Sequence, residues 1–428
     1  MRRISLTSWI MIALILGIAA GYFCHQLAPD AKTAKEIAGY FSIVTEIFLR
    51  MIKMIIAPLV FSTLVAGIAG TGDSKAVGRI GVKALGWFIT ASLVSLILGM
   101  IVVNILRPGE SMHLPLPDAD ATTNLKTSAL NFRDFITHVF PKSIFEAMAH
   151  NEILQILVFS VFFGFAVSAL KRESTATLVT VIQETVHVVL KITDFVMRFA
   201  PFAVFAAIAA VVTVQGLGVL VTYGKFIGGF YFGLLVLWSV LIAAGFLILR
   251  GRVFSLLKLL REPMMLAFST ASSEAAYPKT MEQLEKFGVK DSITGFVLPL
   301  GYSFNLDGSM MYQAFAALFI AQAYGIEMSF GQQVTLLLVM MLTSKGIAGV
   351  PRASLVVVAA TLPMFNLPEA GLLLIMGIDQ ILDMGRTVTN VIGNGIATAV
   401  VAKWEGQLGE ETGADVEDML EPEVHPAT

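Results

Sequence analysis

The residues best suited to chemistry lie in an apolar segment near the C-terminus, at positions 377–401. Its polar residues recur at helical spacing and are Asp379, Asp383, Arg386, Thr387, Asn390 and Asn394. At about 100° per residue they fall within an arc of roughly 100° on one helix face. A charged side chain at bilayer depth costs at least ~2.5 kcal/mol, so such a cluster must face protein, water or a polar ligand. This face is the predicted substrate site.

Two members of this cluster, Asp383 and Arg386, define the chemistry that the site favours. A guanidinium binds a carboxylate through two hydrogen bonds and stays charged at any pH, whereas a carboxylate is the partner for an ammonium. An acidic amino acid therefore matches both residues. A C4-dicarboxylate would leave Asp383 facing a like charge, and a neutral amino acid would leave Arg386 unpaired, at about 1–3 kcal/mol or more.

The composition indicates a polytopic, all-α membrane protein. Of 428 residues, 56% are hydrophobic and 14% charged, whereas soluble proteins carry about 25% charged residues. Nearly uncharged windows long enough to span a bilayer occur at 8–24, 84–106 and 226–249. The net charge of -2 does not suggest a nucleic-acid partner, and Cys24, the one cysteine, rules out an internal disulfide. The sequence contains no cofactor motif.

Helices that the apolar pattern predicts lie near 8–27, 40–70, 84–106, 176–214 and 223–250, with a broken region at 135–170. Beyond residue 253 the pattern changes. The segments 266–279 (LAFSTASSEAAYPK) and 342–354 (LTSKGIAGVPRAS) are too interrupted for plain spans, and NLDGS at 305–309 is polar within an apolar helix. Interrupted segments of this kind are typical of re-entrant hairpins at the midplane of a transporter.

The distribution of lysine and arginine predicts the topology. Basic loops at 73–83, 171–172 and 250–261 favour the cytoplasm, which places the 108–131 connection outside. Both termini are then cytoplasmic, and the acidic tail at 406–428 is expected to be disordered. Short loops and an uncleaved N-terminus suggest a bacterial inner membrane.

Four motifs in order resemble the dicarboxylate/amino acid:cation symporters, and most of all the bacterial proton/glutamate-aspartate carriers. They are 269–278 (STASSEAAYP), 305–309 (NLDGS), 346–351 (GIAGVP) and 383–390 (DMGRTVTN). The resemblance covers residues 5–405. It implies a glutamate-transporter-like elevator fold with eight transmembrane helices and two re-entrant hairpins, assembled as a homotrimer in the lipid bilayer.

The resemblance also implies two domains. Residues 1–250 form mainly the scaffold and trimerisation region, and residues 251–405 form the core transport domain with both hairpins. The helices near 84–106 and 223–250 belong with the transport domain.

Roles for individual residues follow from the same resemblance. Asp383 takes the substrate amino group and Arg386 its side-chain carboxylate. The main carboxylate falls to Asn390 and the backbone around Ser272 and Ser273. The remaining expected positions are Ser309 and Thr387 in the lining, Val350 in the outer lid, and Asp379, which orients Arg386.

The coupling ion is predicted to be a proton. Asn305 and Asp307 match the family's cation site, but Asn394 stands where sodium users have Asp, and a hydroxyl pair is reduced to Ala91–Ser92. Both changes remove ligands that a hard cation needs. Glu274 replaces the usual serine and is the candidate proton carrier.

Several alternatives remain open at this stage. Glu274 would otherwise cap the hairpin, and sodium would bind a residual site at Asn305, Asp307 and Asn390. A C4-dicarboxylate substrate is a further alternative, and substrate-independent current would indicate a channel. An enzyme is not expected, because no histidine lies between 188 and 424 to serve Ser272 or Ser273.

Overall fold

The structure is a computed structural model that describes residues 6–71, 74–111, 137, 139–170, 172–217, 223–344, 353–376 and 378–410. The chain is helical through most of these ranges. The helices are α1 (Leu6–Leu27), α2 (Ala31–Thr71), α3 (Ser74–Leu106), α4 (Pro108–Ser111), α5 (Ile144–His150), α6 (Ile153–Ala169), α7 (Arg172–Met197), α8 (Ala200–Gln215), α9 (Gly224–Leu249), α10 (Arg252–Leu259), α11 (Arg261–Thr270), α12 (Ser273–Lys286), α13 (Asp291–Phe304), α14 (Asp307–Ala323), α15 (Phe330–Thr343), α16 (Ala353–Thr361), α17 (Leu373–Met376) and α18 (Asp379–Trp404).

Five helices within the described ranges are long and apolar enough to cross a membrane, namely α1, α2, α3, α7 and α9. Large apolar side chains on them are exposed in the isolated chain, among them Ile15 and Leu247. Such faces are stable only against lipid or another apolar surface. The last helix, α18, has 26 residues, as do α7 and α9, but it carries charges in its first turns. The chain is therefore a membrane protein, and the helix with the predicted site is not among the five most apolar long helices.

The helix boundaries correct one prediction. A single helix over 176–214 is wrong, because α7 ends at Met197 and α8 begins at Ala200 with Pro201 in its first turn. Proline has no N–H and suits the first turn of a helix better than its interior. The helix predicted near 40–70 begins earlier, at Ala31, where Asp30 Oδ1 accepts a hydrogen bond of 2.7 Å from Thr33 N.

The helices pack in two groups. The outer group is α1, α2 and α5–α8, in which α2 packs against α6, α7 and α8, and α1 packs against α8. The core group is α3 and α9–α18, in which α3 and α9 pack around α14 and α18. The two groups meet where α11, α12 and α13 lie against α1, α2, α6 and α8.

A helical hairpin occupies the serine-rich segment. α11 ends at Thr270, Ala271 adopts left-handed backbone geometry with φ 48°, and Ser272 caps α12 by accepting a 3.2 Å hydrogen bond from Ala275 N. The second interrupted segment is also bounded by a packed pair of helices, α15 and α16. Its tip at 345–352, which includes Val350, lies outside the described residues.

Residues Glu405–Gly409 form a clasp across one end of the core group. Arg79 Nη2 and Lys83 Nζ of α3 lie 2.7 Å and 2.6 Å from the carboxylate of Glu405, whose side chain is 1% exposed. Gly409 N donates to Gly288 O at 2.8 Å, beyond the end of α12. The clasp therefore fastens the C-terminal end of α18 to α3 and to the base of the first hairpin.

We expect Glu405→Gln to lower the melting temperature of the purified protein by several degrees at pH 7. Hydrogen bonds to charged groups contribute ~1.5–3 kcal/mol, and most of this would be lost. The hydrogen bonds from Arg79 lower the pKa of Glu405, so the stabilisation is present at neutral pH and is lost as the pH falls below about 4. The difference from the parent should shrink there. Glu327→Gln, at an exposed position, is the matched control, and equal melting of both variants would contradict the clasp.

Candidate functional site

The centre of the predicted site is a buried guanidinium held by two carboxylates. Arg386 Nη2 lies 3.1 Å from Asp379 Oδ1 and 2.9 Å from Asp383 Oδ1, and its Nε donates to Asp383 Oδ1 at 3.1 Å. The Arg386 and Asp379 side chains are 1% and 2% exposed, whereas that of Asp383 is 30% exposed. Helical spacing explains the arrangement, since the three residues share one face of α18. Asp383 is thus the one charged member of the trio whose side chain is partly exposed.

Sequence reasoning missed a further partner of this guanidinium. The ring of Tyr312 on α14 lies 4.0 Å from Arg386 Cζ, within cation–π range. On its other side, Arg386 Nη1 is buried with no hydrogen-bond partner among the described residues. A buried donor without an acceptor costs about 1–3 kcal/mol or more. The Nη1 amino group of Arg386, with two N–H bonds, therefore has no acceptor among the described residues.

The NLDGS segment interrupts the helical run beside α18. α13 ends at Phe304 and α14 begins at Asp307, so Asn305 and Leu306 lie outside regular helix. Gly308 N donates to Asn390 Oδ1 at 2.9 Å, and Asn390 Nδ2 donates to Ser309 Oγ at 3.4 Å. The start of α14 is thus fixed against α18, and the structure brings Ser309 and Asn390 together.

A second polar cluster lies one turn further along α18. Asn305 Nδ2 donates to Asn394 Oδ1 at 3.3 Å, and Ser95 Oγ of α3 donates to Asp307 Oδ1 at 3.4 Å. All four side chains are buried, and Asn305 Oδ1 has no hydrogen-bond partner in the described part of the chain. Carboxylate, amide and hydroxyl oxygens are ligands for hard cations. Ser95 was not predicted, although it shares a helix face with Ser92.

The α18 cluster is also braced from α9. Trp238 Nε1 donates to Thr389 Oγ1 at 2.7 Å, and Tyr231 OH donates to Ile381 O at 2.7 Å. Thr387 Oγ1 donates to Asp383 O at 2.7 Å within α18. These contacts fix the rotation of α18, which decides the direction in which Asp383 and Arg386 point.

The first hairpin reaches the site less directly. α12 packs against α18, but in the described ranges no hydrogen bond or ion pair joins Ser272 or Ser273 to Asp383 or Arg386. Ser272 caps α12 instead. Glu274, in the first turn of α12, lies 3.7 Å from Lys53 Nζ of α2. The substrate roles of these serines and the proton role of Glu274 stay predictions.

An all-helical bundle of apolar helices around a buried, charge-bearing site at a broken helix defines a polytopic membrane transporter. The chain matches the model of the sodium:dicarboxylate symporter family over residues 6–404, and it belongs to that family. The resemblance noted in the sequence is thereby confirmed.

Its relatives are transporters and not enzymes. The chain is 42% identical to a proton/sodium-glutamate symport protein of Bacillus caldotenax, covering 96% of this chain and 97% of the relative. It is 41% identical to the proton/glutamate-aspartate symporter of Escherichia coli (strain K12), covering 94% and 93%. It is 40% identical to C4-dicarboxylate transport protein 2 of Polaromonas naphthalenivorans (strain CJ2), covering 98% and 94%.

Gly393→Ala is expected to abolish most transport and to destabilise the protein. A Cβ at Gly393 would collide with Asp307 Oδ2 and approach Asn305 Nδ2 to 3.4 Å. Overpacking of this kind costs typically ~1–3 kcal/mol. Gly228→Ala in α9 is the control, because its Cβ would meet nothing within 4 Å and the helix propensity favours alanine. Uptake in proteoliposomes and thermal unfolding measure both effects, and a fully active Gly393→Ala protein would disprove the close approach.

Proposed function

We propose that the protein is a secondary active symporter that imports L-glutamate and L-aspartate together with protons. The observation that carries the proposal is the trio of Asp379, Asp383 and Arg386, in which Asp383 is partly exposed and the Nη1 amino group of Arg386 has no acceptor among the described residues. Such a site offers one cationic and one anionic partner to the same solute.

In this proposal, the ion pair between Asp383 and Arg386 is replaced by two ion pairs with the substrate when the substrate binds. Asp383 and Arg386 neutralise each other in the structure. An acidic amino acid presents its ammonium to Asp383 and a carboxylate to Arg386, while Asp379 and the Tyr312 ring keep the guanidinium in place. Bidentate guanidinium–carboxylate pairing supplies geometric specificity. Asn390, Thr387, Ser309 and the Ser272–Ser273 backbone complete the proposed lining.

The relatives do not decide the substrate class, because glutamate carriers and C4-dicarboxylate carriers resemble the chain almost equally. The charge of Asp383 favours an amino acid, since a dicarboxylate without an ammonium would leave this carboxylate against a like charge. Removing the partner of a buried charge is strongly destabilising. A C4-dicarboxylate is therefore the second candidate and not the first.

Charge balance supports coupling to a cation. The trio carries one net negative charge, and an acidic amino acid at neutral pH brings another. Two uncompensated negative charges in a buried site are costly, so a co-transported positive charge stabilises the loaded state.

We propose that this charge is a proton. The cluster of Asn305, Asp307 and Asn394 has an amide where sodium users of the family have a carboxylate, and that amide oxygen already accepts from Asn305. Glu274 is the proposed proton carrier. Sodium at Asn305, Asp307 and Asn390 remains the alternative, as one relative is named for both ions.

Transport is proposed to occur by an elevator motion in a homotrimer. The core group would move across the bacterial inner membrane relative to the outer group, which forms the scaffold, and the tip with Val350 would close the outer side. The packing supports this division because α3 and α9 contact α14 and α18 of the core. Both termini are proposed to be cytoplasmic.

Uptake of radiolabelled L-glutamate into proteoliposomes tests the coupling. We expect an inward proton gradient without sodium to drive accumulation, and a sodium gradient at constant pH to drive little. Empty liposomes and gradients collapsed with a protonophore are the controls. Accumulation only with sodium would reject proton coupling and support the oxygen-lined cluster as a sodium site.

Asp383→Asn tests the substrate class. We expect it to weaken L-glutamate uptake by at least tenfold, because a charged hydrogen bond worth ~1.5–3 kcal/mol is lost. Inhibition of the residual uptake by succinate should strengthen relative to the parent, since the like charge is gone. Asp291→Asn, at an exposed position at the start of α13, serves as the control. Strong succinate transport by the parent protein would instead favour the hypothesis that the substrate is a C4-dicarboxylate.

A further inference from the structure

An ion pair joins the two helix groups beside the tip of the first hairpin. Lys53 Nζ of α2 lies 3.7 Å from Glu274 Oε2 of α12. The buried ion pairs around Lys279, Arg386 and Glu405 instead join residues of the core group to one another. The Lys53–Glu274 pair is therefore placed to sense the position of one group relative to the other.

The surroundings of the pair are apolar on the side of α2. Lys53 lies near the middle of α2, where its neighbours Ile52, Ile55 and Ile56 are buried. The titratable groups that face Glu274 are Lys53 from α2 and the Tyr302 hydroxyl from α13. A positive charge on such a helix is stabilised by an opposite charge nearby, and the attraction disappears if that partner becomes neutral.

We propose that Lys53 is a positioning residue for transport, whose ion pair with Glu274 holds the first hairpin against α2 until Glu274 binds a proton. The inference rests on the proposed function, in which Glu274 carries the coupled proton. A proton from the outer solution adds to the Glu274 carboxylate, the charge attraction to Lys53 is lost, and the core group is free to move. Release of that proton to the cytoplasm restores the charge, and the pair re-forms on return.

A cysteine pair away from Glu274 reports the position of the two groups. A Cβ built at Gly295 of α13 would lie 3.2 Å from Cβ of Thr63 of α2, its nearest neighbour. Disulfides span Cβ–Cβ distances of about 3.5–4.5 Å, so Thr63→Cys with Gly295→Cys should cross-link in the observed position after a shift of a few tenths of an ångström. Cys24→Ser removes the native cysteine. This triple variant is the reporter protein.

The experiment compares cross-linking in the reporter protein with Lys53→Met, Glu274→Gln and the control Lys225→Met, an exposed lysine of α9. Variants are compared at one pH at a time, so that thiol reactivity cancels. At pH 8 we expect Lys53→Met and Glu274→Gln to lower the ratio of cross-linked to free protein by up to about fivefold, the range of partly exposed ion pairs. Glu274→Gln stands for the protonated carboxyl group in this comparison, and Lys225→Met should cross-link to the same extent as the reporter protein.

Two further variants separate pairing from misfolding. Lys53→Arg should retain the cross-linking of the reporter protein, and the exchange of Lys53→Glu with Glu274→Lys should restore cross-linking at pH 8. Proton-driven uptake by the parent, together with unchanged cross-linking in Lys53→Met, would overturn the proposed role of the Lys53–Glu274 pair and leave the proposed function intact. Absence of proton-driven uptake by the parent would overturn the proposed coupling, and with it the step in which Glu274 binds and releases a proton.

Discussion

The burial of Arg386 is the constraint on which the rest of the site depends. A guanidinium that is 1% exposed must be neutralised and hydrogen-bonded. Two carboxylates from the same face of α18 and an aromatic ring from α14 satisfy it. Its Nη1 amino group is left without a partner among the described residues. The site is thus organised before any solute binds, and Asp383 is its partly exposed carboxylate.

The broken helix beside α18 follows from the same constraint. Close packing of α14 on α18 is possible because Gly308 has no side chain, as a Cβ there would collide with Arg386 O. At this interruption, Gly308 N donates a hydrogen bond to Asn390 Oδ1 of α18. Asn305 Nδ2 likewise donates to Asn394 Oδ1 of α18. Non-helical backbone at membrane depth is tolerated only where protein buries it or a cavity receives it. The polar stripe and the helix break therefore stabilise each other.

Family membership shows that the protein is a symporter, but it does not identify the substrate, which depends on the charges in the site. Relatives named for glutamate and for C4-dicarboxylates differ by only a few per cent in identity to this chain. Overall similarity mostly reports shared packing, whereas one carboxylate in a buried site changes which solute is compatible with it. The Lys53–Glu274 pair shows the same principle between helices, because each charge is attracted only to a partner that the packing of α2 and α12 brings close to it.

The sequence by itself determined the membrane class and the polar face of α18, because helical periodicity and the cost of buried charge act within one segment. The break between α13 and α14 was found only in the structure. The sequence also predicted that Asp379 orients Arg386, and in the structure Asp379 Oδ1 lies 3.1 Å from Arg386 Nη2. The continuous helix over 176–214 was wrong, since apolar periodicity does not register a break at Met197–Ala200. Tyr312 over Arg386, Ser95 at Asp307 and Lys53 at Glu274 were decided by the tertiary structure alone. Each joins helices far apart in the chain, and which faces meet depends on how whole helices pack, a property that no local spacing encodes.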